Sequence, residues 1–228
     1  MNWTIEPKDP VTLAVSSSSQ RFPVGNVFCV GRNYADHAIE MGHDPDREDP
    51  FFFMKPDFAV LADGGDLQYP EFTADLHHEV ELVVALGSGG RHISIENASQ
   101  LIFGYSVGID FTRRDLQGEA KEKGRPWEAG KVFLHAAPCS SLRTFSETGE
   151  LSEGEIQLLV NGELRQSGNL NQMIWKIPEV IAKLSELFVL QPGDLIFTGT
   201  PAGVGPVQPG DTLQAQIESV GGMEIRVC

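Results

Sequence analysis

Two glutamates, Glu79 and Glu81, stand two positions apart in the run Glu79-Val-Glu-Leu-Val-Val-Ala-Leu86, which reads as a strand ended by Gly87-Ser-Gly-Gly90. Residues two apart in a strand point to the same face, so the two carboxylates project side by side. With Leu76, Val83 and Val84 as neighbours, that face reads as interior, where repulsion and desolvation together require a cation. All-oxygen ligation points to Mg²⁺, Mn²⁺ or Ca²⁺ over zinc. The alternative is the polar face of an edge strand. Asp110 ends the apolar run Val107-Gly-Ile-Asp-Phe111, where a charge is costly without a partner, so it reads as a third ligand. Capping of the charged helix that follows is the other possibility for it. Three carboxylates leave an octahedral ion with open positions for a chelating substrate and a water.

His37 and Glu40 are three apart in Tyr34-Ala-Asp-His-Ala-Ile-Glu-Met41. On a helix they share a face, and a carboxylate that orients an imidazole makes a general-base pair. A solvated helix face carrying a fortuitous His and Glu is the plainer alternative. The cationic candidates are Arg32, Lys55, Arg113, Arg114 and Lys131. Lys131 lies in the apolar Gly-Lys-Val-Phe context, and Arg114 and Gln117 are three apart, able to face one site together. Other matches fail on context. Gly104-Tyr-Ser-Val-Gly108 has the nucleophile-elbow pattern, but only His135 follows it, 29 positions on. Leu142 stands where a zinc deaminase needs its second cysteine, and Leu82 breaks H-E-x-x-H after His78-Glu79.

The elements that must position these groups are mostly strands. Val24 to Val30 reads as the first strong strand, followed by Asn33 as N-cap of a two-turn helix that Gly42 closes. Phe51 to Met54 is a buried strand stopped by Pro56, and Ile102 to Phe111 is another. Thr112 to Lys123 reads as a charged helix that can act as a mobile cover. Asn161-Gly162 centres a hairpin over 156–165 with a type I′ turn. Pro178 marks the start of a helix over Glu179 to Phe188, and two Gln-Pro-Gly-Asp turns (191–194 and 208–211) punctuate the last strands. Residues 1–24, with the Ser16 to Ser19 run, read as a loosely held arm before a single catalytic domain over 25–228.

Composition narrows the function. The 228 residues carry 17 Lys+Arg against 32 Asp+Glu, a net charge of -15, which repels nucleic acid and anionic membrane. Such a chain attracts an acidic substrate only by concentrating positive charge locally. No 18-residue apolar run is present, the opening Met-Asn-Trp-Thr-Ile-Glu does not read as the basic start and apolar core of a secretory signal, and Cys29, Cys139 and Cys228 lack C-x-x-C spacing. The expectation is a reduced, cytoplasmic protein.

Six segments then assemble into a pattern: Val30-Gly-Arg-Asn-Tyr-Ala-Asp-His37, Phe53-Met-Lys-Pro56, His78-Glu-Val-Glu-Leu82, Gly108-Ile-Asp-Phe-Thr-Arg-Arg-Asp-Leu-Gln117, Gly130-Lys131 and Phe197-Thr-Gly-Thr-Pro-Ala-Gly-Val-Gly205. Together, over residues 25 to 227, they resemble the fumarylacetoacetate hydrolase (FAH) family. The similarity is greatest to its short branch, the acylpyruvate and fumarylpyruvate hydrolases that include oxaloacetate decarboxylases. The resemblance implies an α+β, β-rich fold: a mixed β-roll with short peripheral helices and a mobile lid helix, usually a homodimer. It implies that Glu79, Glu81 and Asp110 hold Mg²⁺ or Mn²⁺, and that His37 and Glu40 activate water on a lid helix ordered by substrate. Lys131 and Gln117 would bind substrate oxygens, and Arg32, Arg114 and Thr200 would line the anion site, with Lys55 a further candidate. An aspartate ligand that the longer family members take from an N-terminal region has no counterpart that aligns here, leaving that position to water. The implied partner is a small anionic 2,4-diketo acid, such as fumarylpyruvate from aromatic catabolism, cleaved between C3 and C4 to pyruvate and a carboxylic acid. Oxaloacetate decarboxylation, or a related isomerisation, through the same enolate is the alternative.

Overall fold

The computed structural model describes residues 3–35 and 48–228. Along the chain the strands are β1 (Thr12–Ala14), β2 (Arg21–Pro23), β3 (Val27–Gly31), β4 (Phe51–Lys55), β5 (Val60–Ala62), β6 (Gly65–Leu67), β7 (Leu76–His78), β8 (Val80–Leu86) and β9 (Ile102–Ile109). There follow β10 (Thr112–Arg113), β11 (Ala137–Cys139), β12 (Arg143–Thr144), β13 (Glu155–Val160), β14 (Glu163–Asn169), β15 (Leu195–Phe197), β16 (Gly205–Val207), β17 (Thr212–Ile217) and β18 (Gly221–Val227). The helices are short: α1 (Ile95–Ala98), α2 (Arg114–Glu122), α3 (Glu128–Lys131), α4 (Phe145–Thr148) and α5 (Ile177–Leu187).

A mixed, curled sheet runs in the order β4-β3-β15-β8-β9-β11-β5, with β12 added on β9. Every residue of β8 is buried, as a strand covered on both faces requires, and this accounts for its near-continuous apolar sequence. A five-stranded sheet, β14-β13-β17-β18-β6, packs its alternate residues Ile156, Leu158, Leu213 and Ile225 into the same core. Burying such a side chain contributes about 1.5–3 kcal/mol. The three short strands β10, β7 and β16 form a separate ladder beside the site. This is the β-rich roll that the sequence pattern implied.

Local chemistry explains most boundaries. Asn161 (φ 52°) and Gly162 (φ 81°) make the two-residue turn between β13 and β14 with both φ positive, the type I′ geometry. In α5, Ile177, Val180, Ile181 and Leu184 form the buried stripe, and Lys176 N donates to Glu179 Oε2 at 2.9 Å across the first turn. In the first Gln-Pro-Gly-Asp turn, Asp194 Oδ2 accepts from Gln191 N at 2.8 Å while its Oδ1 accepts from Asn26 N at 2.9 Å, tying β15 to β3. Leu195 N also donates to Asn26 O at 2.8 Å, so the pairing with β15 begins beside that tie and β3 starts at Val27 and not at Val24.

Three expectations need correction. The supposed arm is packed from Val11 onward: β1 and β2 pair as a hairpin whose Leu13, Val15, Phe22 and Val24 join the core. The Asn33 side chain, expected to serve as a helix cap, is held by partners far along the chain. That side chain accepts from Trp175 N at 2.7 Å and donates to the carbonyls of Trp175 and Thr198. The charged helix α2 is a seated wall and not a cover, with Gln117 and Ala120 buried. A Cβ on Gly130 of α3 would lie 2.8 Å from that of Gln117, so the glycine permits the close contact. The proposed lid helix, with His37, Glu40 and Gly42, lies outside the described residues beyond Ala35. Among the described residues no helix is long and apolar enough to cross a membrane.

Candidate active site

In the antiparallel β8–β9 ladder Val80 faces Ile109 and Glu81 faces Gly108, and Asp110 N donates to Glu79 O at 2.8 Å. Glu79 and Asp110 are therefore cross-strand neighbours just past the ladder's end. Glu81, two residues on from Glu79, shares its face. One carboxylate oxygen from each lies within 4.8 Å of the others, and the three residues are 6%, 2% and 1% exposed. Two segments thus deliver three hard oxygen donors to one point, a set that fits a divalent cation such as Mg²⁺ or Mn²⁺.

Buried cations flank them. Lys131 Nζ donates to Glu79 Oε2 at 2.8 Å, Asp110 Oδ2 at 2.6 Å and Thr112 Oγ1 at 2.7 Å. Arg114 reaches Glu79 Oε1 with one nitrogen and Gln117 Oε1 with another. Burial alone would lower the pKa of Lys131, but the Asp110 and Glu79 carboxylates outweigh it and hold the ammonium above the ordinary lysine value. Glu81 goes the other way. Burial first, then the charges of Asp110 and Glu79, push its carboxyl well above the usual range, although Gly199 N donates to Oε2 at 2.7 Å. Gly199 is needed there: its φ is 97° and a Cβ would sit 2.7 Å from that of Asn33.

Arg32, Arg114, Gln117, Lys131 and Thr200 all line one pocket with the three carboxylates. Its aromatic wall comes from β4, where Phe51 and Phe53 share a face. The Arg32 guanidinium lies 5.3 Å from the Phe51 centroid, Lys131 Nζ lies 5.0 Å from that of Phe53, and Trp127 packs against both rings. Gly31 makes the first contact possible, since any Cβ there would collide with the Phe51 ring. Arg32 itself is held at φ 59°, a strained conformation for a side chain of its size, at the pocket wall.

Lys55 is not an anion ligand. It is 1% exposed, and its ammonium faces the carbonyls of Phe111, Lys131 and Ala136 and Asp110 Oδ1, at 2.8 Å. It holds Asp110 from behind. Arg113 stacks over Phe133 at 4.7 Å and lies apart from the pocket lining. The sequence reasoning missed Lys121, which lines the pocket from α2. Its signal was available: 114, 117 and 121 fall on one helical face. Burial, then Arg32 and Arg114, lower the Lys121 pKa. Thr112 and Trp127 carried no such signal, because only folding brings them to the site.

Residues 26–228 match the family model described as fumarylacetoacetate (FAA) hydrolase, C-terminal. The chain belongs to the fumarylacetoacetate hydrolase family. Within this family it is 42% identical over 202 residues to the mitochondrial oxaloacetate tautomerase of Bos taurus, covering 89% of this chain and 91% of that one. It is 41% identical to the fumarylpyruvate hydrolase of a Ralstonia species, covering 82% of this chain and 98% of the relative. Among solved structures, the fumarylpyruvate hydrolase of Pseudomonas aeruginosa in complex with Mn²⁺ and pyruvate superposes with a TM-score of 0.97, at 47% identity over 99% of both chains. A family member from Dictyostelium discoideum, 41% identical over 84% of this chain and 88% of its own length, is a mitochondrial oxaloacetate decarboxylase.

Proposed function

We propose that this protein is a metal-dependent hydrolase of 2,4-diketo acids that cleaves fumarylpyruvate-type substrates to pyruvate and a carboxylic acid. The observation that carries the proposal is the convergence of Glu79, Glu81 and Asp110 inside a ring of cations. Three carboxylates are balanced there by Lys55, Lys131 and Arg114, so a divalent ion leaves the site net positive, as an anionic substrate needs. An Mg²⁺ or Mn²⁺ ion held by the triad supplies Lewis-acid stabilisation of the pyruvate enolate.

The chain's own residues do the rest. Lys131, protonated through the working pH range, donates to the oxygen on which enolate charge develops, and Gln117, held by Arg114, orients the keto acid. Thr200 and Arg32 bind the carboxylate. The half-buried Lys121, which lines the same pocket near Arg32 and Arg114, receives the second carboxylate of the substrate, and this selects dianions. His37 and Glu40 take a proton from the water that attacks C4. The C3–C4 bond then breaks, the water oxygen leaves in the released acid, and C3 is reprotonated to the methyl group of pyruvate.

The test is pyruvate release from fumarylpyruvate, abolished by EDTA and restored by Mg²⁺ or Mn²⁺. No pyruvate from any acylpyruvate, alongside tight oxalate binding, would make the protein a binder and overturn the proposal. The oxaloacetate relatives favour a second activity, because decarboxylation reaches the same enolate without water. His37→Ala should then abolish hydrolysis and spare decarboxylation; equal loss of both contradicts the shared enolate. The same reading has the chain working in the cytosol as a homodimer, with the exposed Phe58 and Leu134 as an apolar patch for the second copy to cover. Light scattering that returns a monomer refutes the dimer.

A further inference from the structure

Gln166 is fully buried in β14, outside the pocket lining, and all four of its side-chain hydrogen-bonding positions are used. Oε1 accepts from Val80 N at 3.0 Å and lies 2.9 Å from His78 Nδ1. Nε2 donates to Pro201 O and to Thr200 Oγ1, both at 2.8 Å. Two of these partners permit only one polarity: a backbone N–H must donate and a backbone carbonyl must accept. The amide therefore cannot flip, His78 Nδ1 carries the proton, and the Thr200 hydroxyl oxygen receives an N–H. Once that oxygen accepts from Gln166, its own proton must point elsewhere. Among the described residues no acceptor takes it, and Thr200 faces the pocket.

We infer that Gln166 is a positioning residue that sets the polarity of the anion site, turning the Thr200 hydroxyl into an obligate donor toward a substrate carboxylate. The inference rests on the proposed role of Thr200 in substrate binding and goes beyond it, since Gln166 touches no substrate. It also explains why a fully buried amide bridges the metal strand and the Thr198-Gly-Thr-Pro201 segment: one side chain orients a donor and anchors the backbone between Glu79 and Glu81. In Gln166→Glu the two outer contacts lose their N–H donors, and an ionised carboxylate there accepts the Thr200 proton, turning it away from the pocket. Gln166→Met leaves that proton free to turn to the Pro201 carbonyl.

Oxalate, a planar mimic of pyruvate enolate, is the probe, titrated by calorimetry into the full-length protein saturated with Mg²⁺. Thr200→Val should weaken oxalate binding roughly tenfold or more, the loss of one hydrogen bond to a charged group. If it does not, the substrate-binding role of Thr200 fails. Given that loss, Gln166→Glu and Gln166→Met should each weaken binding comparably, and Gln166→Glu, whose carboxylate still accepts from Val80 N, should keep its Mn²⁺ affinity by electron paramagnetic resonance within about twofold of the native value. Each double variant with Thr200→Val should bind no worse than Thr200→Val alone, because the effect passes through the hydroxyl. Multiplying losses, unchanged oxalate affinity in the Gln166 variants, or a parallel loss of Mn²⁺ affinity in Gln166→Glu would overturn the inference while leaving the Thr200 role intact. A measurement on the native chain needs no variant to fold: the ¹⁵N side-chain amide resonance of Gln166 should shift when oxalate saturates the Mg²⁺ form, and an unmoved resonance under saturation refutes it.

Discussion

Replacing Lys131 with methionine separates the two jobs assigned to its ammonium. In the metal-free protein, Lys131 is the buried cation shared by Glu79 and Asp110, at 2.8 and 2.6 Å. Removing one partner of a buried ionic cluster costs about 3–5 kcal/mol, because the remaining charges stay desolvated without compensation. Arg114 still reaches Glu79 and Lys55 still reaches Asp110, which places the expectation at the lower end, about 3 kcal/mol. For a chain of this length, ~2–4 °C per kcal/mol converts that to a fall in Tm of roughly 10 °C in EDTA. With saturating Mg²⁺ the ion supplies the missing positive charge, and the fall should shrink to less than half. Turnover should still drop ~10²–10³-fold with metal present, the loss of one preorganised donor at a developing oxyanion. The assay is thermal unfolding of native protein and Lys131→Met with EDTA or Mg²⁺, beside pyruvate release. Equal falls in Tm under both conditions, or a fall in EDTA below about 1 kcal/mol, would refute the claim that ammonium and metal ion compensate the same carboxylates.

Glu81 links the site to pH. Its raised pKa means that the metal-free folded chain keeps a proton that the unfolded chain releases, so stability without metal should decline as pH rises from the usual carboxylate value of about 4.5 toward the raised one. Metal must displace that proton, so Mg²⁺ affinity should climb with pH across the same window, and calorimetry in buffers of different ionisation enthalpy should register proton release; no release anywhere in that window contradicts it. Lys121→Met should raise KM for fumarylpyruvate about tenfold and leave acetylpyruvate, which has one carboxylate, within about twofold; equal effects would remove the distal subsite. Gly199→Ala should lower stability by ~2–4 kcal/mol and Mn²⁺ affinity about tenfold, since its Cβ meets Asn33 and the N–H on Glu81 is displaced; denaturant melts and Mn²⁺ titration check both.

Much of this molecule was legible before any coordinates, because local rules govern it. The spacing of Glu79 and Glu81 in a strand decides that they share a face, and Asn161-Gly162 admits few turns other than the one found. An aspartate at the end of an apolar strand announces a partner. Arg114 and Gln117 share a helical face by periodicity alone, and so does the overlooked Lys121. What no local rule supplies is the partner's identity. Lys55 has the same residue type and an apolar setting much like that of Lys131, yet one faces the pocket while the other is spent on three carbonyls and the back of Asp110. The outcome depends on which strand each neighbours and on where the segment 110–136, with α2 and α3, returns. Asn33 reads as a helix cap from its neighbours, but long-range contacts with Trp175 and Thr198 claim its amide. Period and propensity act over a few residues, and so the sequence by itself determined the ligand types and their faces. Desolvation, pairing and hydrogen-bond polarity act between segments far apart in the chain, so only the tertiary structure decided which cation serves substrate and which serves the scaffold.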